Sequence, residues 1–171
     1  MTQTCDSYVP GTSVSADFVC AHNHARSTAE PTPVPVLGGL TWNAELATVA
    51  QAWAESCTWS HNADRSADYT AWSGAAESVG ENLYMSTASE VTPDAAVASW
   101  AAEAQFYDYA TNSCASGEVC GHYTQLMWRD TLAVGCGTAF CGTLANSTLR
   151  DVTLVVCDYA PGGNIDGMKP Y

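Results

Sequence analysis

The chain has 171 residues, which is enough for one domain with a full hydrophobic core and too few for two ordinary domains. Acidic residues outnumber basic ones by 18 to 5, so the negative surface should repel nucleic-acid phosphates and anionic lipid headgroups. No apolar run reaches the ~18 to 20 residues of a membrane-spanning helix. We therefore expect one domain over residues 1–171, a monomer, with no nucleic-acid partner and no transmembrane segment.

The first predicted helix begins near Ser15, whose hydroxyl can cap it. Its apolar positions recur at spacings of four and three along one stripe, and they are Phe18, His22, Ala25 and Ala29. This stripe turns His22 inward and leaves His24 outside it, so His22 is predicted to be a core residue rather than a ligand. Residues 30–39 hold three prolines and two glycines and should form an irregular connection.

Two further helices are predicted before the strands. Asn43 can cap the second helix, whose apolar positions follow the i, i+3, i+4, i+7 pattern closely. Residues 66–78 are mostly small and polar and are predicted to form a loop. Thr92–Asp94 supplies a capping hydroxyl, a proline at the first helical position and an acid in the first turn. The third helix should therefore begin here and run to about Tyr107.

One carboxylate on the third helix is out of place for a solvated side chain. Glu103 lies three residues after Trp100 and four before Tyr107, so it shares a helix face with two large aromatics. A carboxylate in that position is costly to desolvate unless a cation, hydrogen-bond donors or a metal compensates. Glu103 is therefore expected to have a partner, and the four histidines are candidates.

Two strands are predicted in the last third of the chain. Residues 132–141 and 152–159 are apolar and rich in β-branched side chains, and a turn region of Gly, Asn, Ser and Thr separates them. They are expected to pair antiparallel. Because helices precede the strands, the fold class is predicted to be α+β.

The eight cysteines are an even number at high density and do not form repeated C-x-x-C pairs. This pattern favours disulfides over a zinc ribbon, and disulfides require an oxidising compartment. We therefore expect a secreted, extracellular protein. No charged segment followed by an apolar core begins the sequence, so we expect that a signal peptide has been removed or left out of it. Counting alone allows 105 pairings of the eight cysteines.

Four motifs follow one another along the chain, and they are His22–Arg26 (H-N-H-A-R), Gly80–Leu83 (G-E-N-L), Cys120–Thr131 (C-G-H-Y-T-Q-L-M-W-R-D-T) and Val155–Asn164 (V-V-C-D-Y-A-P-G-G-N). They closely resemble the HN-x-x-R segment, the GEN-[LI] turn and the two signature motifs of the CAP superfamily. That family groups cysteine-rich secretory proteins, antigen 5 and pathogenesis-related 1 proteins, and the motifs are most similar to the pathogenesis-related 1 type. The resemblance implies a three-layer α-β-α sandwich with an antiparallel central sheet, stabilised by disulfides.

The resemblance and the expected proximity of elements suggest four disulfides. They would join Cys114 with Cys120, Cys136 with Cys157, Cys57 with Cys141 and, as the remaining pair, Cys5 with Cys20. A single CAP domain would then have an N-terminal extension at residues 1–14 and a C-terminal tail at residues 161–171. The tail is similar to a peptide that plant members can release as a defence signal. Since the same residues belong to the second signature motif, we expect a packed tail.

The resemblance also carries the family's cleft of two histidines and two glutamates onto His61, Glu81, Glu103 and His122. No cofactor is required, but the set would suit zinc or another divalent cation, with the histidines as ligands and the glutamates nearby. The alternative is that two Glu–His pairs satisfy each other without metal or turnover. Asn62 stands where family members often carry a serine, which argues against a serine-dependent protease.

Three functions are compatible with these features. The first is a non-enzymatic module that binds a small apolar ligand, a sterol or a fatty acid, in an aromatic-lined groove beside the cleft. The candidate lining residues are Trp59, Tyr69, Trp72 and Tyr84. The second is a metal-dependent hydrolase or protease in which Glu81 or Glu103 acts as general base. The third is an extracellular host-interaction or defence-signalling protein.

Overall fold

The computed structural model describes residues 5, 9–11, 13–88 and 90–171, so the predicted N-terminal extension lies largely outside the described residues. The helices are α1 (Val14–Ser27), α2 (Ala44–Glu55), α3 (Arg65–Ser73), α4 (Pro93–Ala101) and α5 (Gly121–Leu126), and a 3₁₀ helix (Ala102–Phe106) follows α4. The strands are β1 (Thr41–Trp42), β2 (Gly80–Ser86), β3 (Tyr107–Asp108), β4 (Ser113–Cys114), β5 (Ala133–Thr143) and β6 (Arg150–Ala160).

A four-stranded sheet in the order β1-β5-β6-β2 separates two helical layers. On one face α2 packs against β5 and β6, and α3 packs against α2. On the other face Val134 and Cys136 of β5 join a core cluster with Phe18 and Val19 of α1, and α4 and α5 contact β2. The predicted α+β class and the three-layer α-β-α sandwich are confirmed.

The three long strands are antiparallel, as predicted. β5 and β6 pair from Ala133 opposite Ala160 to Thr143 opposite Arg150, and β2 pairs along its whole length with β6. The two-residue strand β1 departs from the prediction, because it runs parallel to β5 at the edge of the sheet. Helix α2 begins two residues after β1 ends, so the parallel pairing covers only two residues.

Two glycines in β5 allow α2 to lie directly on the sheet. A Cβ atom on Gly135 would come within 2.2 Å of the Ala47 backbone nitrogen, and one on Gly137 within 2.3 Å of the Gln51 Cα atom. Both are backbone clashes that a side-chain movement cannot relieve. The contact between α2 and β5 therefore depends on having no side chain at these two positions.

Four disulfides join Cys5 to Cys20, Cys57 to Cys141, Cys114 to Cys120 and Cys136 to Cys157, the pairs that the sequence suggested. Cys57 follows α2 and Cys141 lies in β5, so this bridge ties the helical layer to the sheet. Cys136 and Cys157 are opposite each other in β5 and β6. The bridges therefore link elements that already pack together.

Two helix boundaries differ from the predictions. Helix α1 begins at Val14, with Ser13 rather than Ser15 at its N-cap. Helix α4 begins as predicted, with the Thr92 hydroxyl accepting from the Ala95 amide at 3.2 Å, but it ends at Ala101 and not near Tyr107. Its last turn tightens into the 3₁₀ helix, a common ending for α-helices.

The prediction that residues 66–78 form a loop is wrong, because most of this segment is the helix α3. Its only buried residue, Tyr69, packs with Leu46 and Val49 of α2. One aromatic side chain gives no helical periodicity, so the contact with α2 stabilises the helix where the local pattern does not. Gly74 ends the helix in the left-handed conformation, at φ 71°.

The C-terminal tail packs on the rest of the chain, as the sequence suggested. Pro170 is buried, and its carbonyl accepts from the Arg129 amide at 2.7 Å. The Tyr171 hydroxyl donates to the Glu30 carbonyl at 2.9 Å, and the Tyr171 ring stacks on Tyr109 with centroids 4.7 Å apart. In the described part of the chain, no helix has the length and apolar character needed to cross a bilayer.

Candidate functional site

The first Glu–His pair joins the loop after α2 to strand β2. Nδ1 of His61 lies 2.7 Å from Oε1 of Glu81, and the same oxygen accepts from the Asn62 amide at 3.0 Å. The Glu81 side chain is fully buried, whereas 54% of the His61 side chain is exposed. Glu81 lies in the second position of β2 and not in the turn that the motif suggested. The buried carboxylate therefore holds a histidine that faces solvent.

The second pair joins the 3₁₀ helix to α5. Nδ1 of His122 lies 2.6 Å from Oε1 of Glu103, and Oε2 of Glu103 accepts from the backbone amides of His122 and Tyr123 at 3.0 and 3.1 Å. The carboxylate thus satisfies donors at the first turn of α5 that have no partner within the helix. The partner expected for Glu103 from its position among aromatics is therefore His122.

Both pairs impose the same tautomer on their histidines. A carboxylate only accepts hydrogen bonds, so each Nδ1 carries a hydrogen atom and donates a hydrogen bond to the glutamate. When the rings are neutral, the Nε2 atoms of His61 and His122 are then left with lone pairs. Each histidine therefore presents one acceptor or ligand nitrogen, oriented by a carboxylate behind it.

Asn82 connects the two pairs through the backbone. It follows Glu81 in β2, and its side-chain amide donates to the His122 carbonyl at 3.1 Å. Successive strand residues face opposite sides of a sheet, so Glu81 points toward the layer of α2 and α3 and Asn82 toward that of α5. The Glu81 side chain and the His122 backbone therefore lie on opposite sides of the edge strand β2.

A hydrogen-bond chain runs from Asn82 into the core and joins all four sequence motifs. The Asn82 amide also reaches the Tyr159 hydroxyl at 3.3 Å, and that hydroxyl lies 2.8 Å from Nε2 of His22. Nδ1 of His22 lies 2.7 Å from the Phe18 carbonyl, so Nδ1 donates and Nε2 accepts from Tyr159. The motifs thus meet in space, although they are distant in sequence.

His22 is a core residue, as predicted. It is completely buried, and burial lowers its pKa to about 4, because a charged imidazole loses its hydration there. The ring is therefore neutral at neutral pH, which is the state that the bond from Tyr159 requires. Burial also raises the pKa of the Tyr159 phenol well above its usual value, so Tyr159 remains a donor.

The geometry fits a cation poorly. Catalytic zinc sites use three protein ligands. Among the described residues, the one group of three His, Cys, Asp or Glu donor atoms lying within 4.8 Å of one another is His22, Cys136 and Cys157. Two of these are joined in a disulfide and cannot bind metal as thiolates. The predicted tetrad does not bring three donor atoms within that distance of one another.

Asp158 is part of this site, and the sequence analysis did not identify it. It is completely buried and lies opposite Glu81 in the register of β6 and β2. Both of its carboxylate oxygens and Oε2 of Glu81 have no donor partner among the described residues. Burial, followed by the charge of Glu81, raises the pKa of Asp158 well above its usual value. A proton retained on Asp158 would supply the missing donor between the two carboxyl groups.

The aromatic candidates for ligand binding do not come together. Tyr69 is buried in the core beside α2. Trp59 packs against the cluster around Cys141, and Tyr84 against the cluster on the opposite face of the sheet. Trp72 is 66% exposed on α3. These four residues therefore do not form one aromatic-lined groove.

An apolar groove instead lies between α1 and α4, with a volume of about 280 Å³. Its walls are small side chains, because α1 contributes alanines and α4 contributes Val97 and two alanines. Polar groups occur among the lining residues as His24, Thr28 and Asp94. Of these lining residues, the sequence prediction named Ala25, as part of an apolar stripe on the first helix, His24, as a residue outside that stripe, and Asp94, as an acid in the first turn of the third predicted helix; it did not predict the groove.

Comparison with known proteins agrees with this architecture. Residues 20–159 match the profile of the family described as "CAP: Cysteine-rich secretory protein family". The structure aligns with that of Schistosoma mansoni venom allergen-like protein 4 at a TM-score of 0.67 and 27% identity, covering 90% of each chain.

Similar sequences come from animals and plants. Peptidase inhibitor 16 of Mus musculus is 36% identical over 166 residues, which is 95% of this chain and 31% of that protein. The PR-1 type pathogenesis-related protein of Sambucus nigra is 36% identical over 159 residues, which is 91% of this chain and 80% of that protein. The chain thus spans about a third of the mouse protein and most of the plant protein. With the profile covering most of its length and these relatives aligned over nearly all of it, the chain belongs to the cysteine-rich secretory protein (CAP) family.

Proposed function

We propose that this protein is an extracellular, non-enzymatic binding module for a small apolar ligand, and that a fatty acid binds in the groove between α1 and α4. The observation that supports this proposal is the groove itself, an apolar cleft of about 280 Å³ between two helices. Ligand sites in proteins are concave and mostly apolar with a few polar groups. The four disulfides are consistent with an oxidising, extracellular setting.

The shape of the groove favours a fatty acid over a sterol. Its walls are Ala21 and Ala25 on one helix and Val97, Ala98 and Ala101 on the other, so the groove is a slot of about 280 Å³ lined by small side chains. A single acyl chain fits a slot of this kind better than a fused ring system. His24 at the rim can donate a hydrogen bond to a carboxylate headgroup.

Binding of a labelled palmitate, with a labelled sterol in parallel, tests the proposal. Ala98→Trp should abolish saturable palmitate binding, because Ala98 is exposed at the groove and an indole would occupy the slot without disturbing the core. Ser99→Trp places the same side chain one residue along α4, where it does not line the groove, and should bind as the unaltered protein does. Equal palmitate binding by both variants, or none by the folded unaltered protein, would overturn the proposal.

The metal-dependent hydrolase has less support in the site. Among the described residues, the tetrad does not bring three donor atoms within 4.8 Å of one another, whereas a catalytic zinc centre uses three protein ligands. Glu103 already accepts three hydrogen bonds, and Glu81 is fully buried behind His61. Neither carboxylate is therefore free to act as a general base toward a substrate in the cleft.

A further inference from the structure

The tip of the hairpin between β5 and β6 contains the sequence Asn146-Ser147-Thr148. An asparagine followed two residues later by serine or threonine, with any residue but proline between them, is the acceptor sequence for N-linked glycosylation. None of the other six asparagines is followed at that distance by serine or threonine. The chain therefore has one acceptor sequence of this kind.

The conformation of the hairpin presents this asparagine to solvent. Asn146 is exposed and adopts a left-handed backbone conformation, with φ at 62°. The residue before it is fixed, because Ala145 exchanges backbone hydrogen bonds with Cys57 and Trp59 at 2.8 and 2.9 Å. Asn146 thus projects from an anchored turn.

N-glycosylation requires the side-chain amide of Asn146 and the hydroxyl of Thr148 in this turn. The Ser147 hydroxyl accepts from the Leu149 amide at 3.1 Å. Within the described part of the chain, the Asn146 amide and the Thr148 hydroxyl make no side-chain hydrogen bond, and Thr148 is exposed. Asn112-Ser113-Cys114 offers a contrast, because the Asn112 amide donates to the Met168 carbonyl and a cysteine replaces the hydroxyl residue.

We propose that Asn146 is the N-glycosylation site of this protein. The proposal rests on the extracellular part of the proposed function and is independent of ligand binding. In the transfer, Nδ2 of Asn146 loses a proton and forms a bond to the anomeric carbon of a lipid-pyrophosphate-linked oligosaccharide. The bond between that carbon and the pyrophosphate oxygen breaks, and the lipid pyrophosphate leaves with the electron pair.

The glycan would attach at the end of the sheet away from Asp158 and Glu81, beside the segment that leads through Trp59 to His61. The hairpin tip adjoins Arg150 at one end of β6, whereas Asp158, opposite Glu81, lies near the other end. Eight residue steps of ~3.3 Å place these ends about 26 Å apart. The exposed apolar side chains Phe140 and Leu149, 69% and 44% accessible, belong to the same hairpin. A glycan here would add polar bulk beside them.

Expression behind a host signal sequence in a yeast or insect cell tests the proposal, with glycans scored on secreted and intracellular protein. The unaltered chain should carry one glycan, and peptide-N-glycosidase should release it and leave aspartate at position 146 in the peptide mass spectrum. Asn146→Gln and Thr148→Ala should each abolish the glycan. Ser147→Ala, the matched control, should retain it.

The result that would overturn the proposal is an unaltered chain that enters the secretory pathway, forms its disulfides and carries no glycan at Asn146. A glycan that persists in both Asn146→Gln and Thr148→Ala would also overturn it. Palmitate binding by the unglycosylated Asn146→Gln variant should equal that of the glycosylated protein. This comparison separates a failure of the glycosylation proposal from a failure of the ligand-binding proposal.

Discussion

The side-chain amide of Asn82 donates hydrogen bonds to both the His122 carbonyl, at 3.1 Å, and the Tyr159 hydroxyl, at 3.3 Å. This residue is 1% exposed. The buried side-chain amide of Asn82 therefore links β2, α5 and β6. A longer or shorter side chain, or one without two N–H groups, cannot make both contacts.

Asn82→Ala should lower the free energy of unfolding by about 1 to 3 kcal/mol, because it leaves buried acceptors without a donor. Urea unfolding monitored by tryptophan fluorescence measures this change. Asn164→Asp is the control: Asn164 also donates to a carbonyl of α5, that of Gly121 at 2.8 Å, but it is exposed, so water can replace this bond, and aspartate tolerates its left-handed φ of 57°. Equal losses in the two variants would contradict the importance assigned to Asn82.

Asp158→Asn should stabilise the protein at neutral and alkaline pH. Because burial and Glu81 raise the pKa of Asp158, the carboxyl holds its proton in the folded state after the unfolded chain has released its own. Stability is then greatest below the unfolded pKa and falls as pH rises through the folded pKa, by about 1.4 kcal/mol for each unit between them. Asparagine cannot ionise and can donate to Oε2 of Glu81.

The charges facing Asp158 are Glu81 in β2 and, on the side of α3, Arg65 and Asp68, with His61 beyond Glu81. Unfolding measured from pH 4 to pH 9 should show the gain of Asp158→Asn growing toward high pH, whereas Asp166→Asn, at an exposed position, should leave the profile unchanged. A gain that is the same at every pH would show that ionisation of Asp158 is not the cause.

Glu103→Gln should change the tautomer of His122. The carbonyl oxygen of glutamine can still accept from the backbone amides of His122 and Tyr123, but its NH₂ group then faces Nδ1 of His122. That nitrogen must become an acceptor, and the proton moves to Nε2. Long-range ¹⁵N–¹H spectra distinguish the two tautomers directly. Glu118→Gln, at an exposed glutamate, should leave the His122 spectrum as it is, and an unchanged tautomer in Glu103→Gln would contradict the arrangement.

Particular residues show which features of the fold and the site can be predicted from the sequence and which cannot. The caps at Asn43 and Thr92 are local, since each side chain accepts from an amide three residues later, and both were predicted correctly. Helix α3 was missed because its stability comes from Tyr69 contacting another helix. The Glu–His pairs were anticipated through the resemblance to the CAP superfamily.

The position of Asp158 opposite Glu81 cannot be predicted from a single sequence, although Asp158 belongs to a recognised motif. It lies in an apolar strand between Cys157 and Tyr159, and the alternation of a strand puts it on the same face as the buried Val156 and Ala160. That pattern predicts burial of a carboxyl group. Its meeting with Glu81 depends on the register of β2 against β6, which no local pattern specifies.

Gly135→Ala should destabilise the protein by about 1 to 3 kcal/mol, the usual cost of overpacking a core. The added methyl group would meet the Ala47 nitrogen at 2.2 Å and the Asn43 carbonyl at 2.6 Å, and α2 would have to move off the sheet. Gly142→Ala, in the same strand, would bring a Cβ no closer than 3.9 Å to a neighbour, and thermal unfolding should hardly change. Similar melting temperatures in the two variants would argue against close packing of α2 on β5.

Zinc binding is the measurement that decides how the two Glu–His pairs are used. Because His61 and His122 supply only two ligand nitrogens, calorimetry near pH 7.5 should show binding weaker than micromolar. His61→Ala and His122→Ala should each remove what binding there is, and His24→Ala, which changes an exposed histidine outside the cleft, should not. Tight zinc binding that both cleft variants abolish would mean that the cleft closes around the ion and recruits a third ligand. The site would then have to be reconsidered as a metal centre, and hydrolase assays with zinc would become the next experiment.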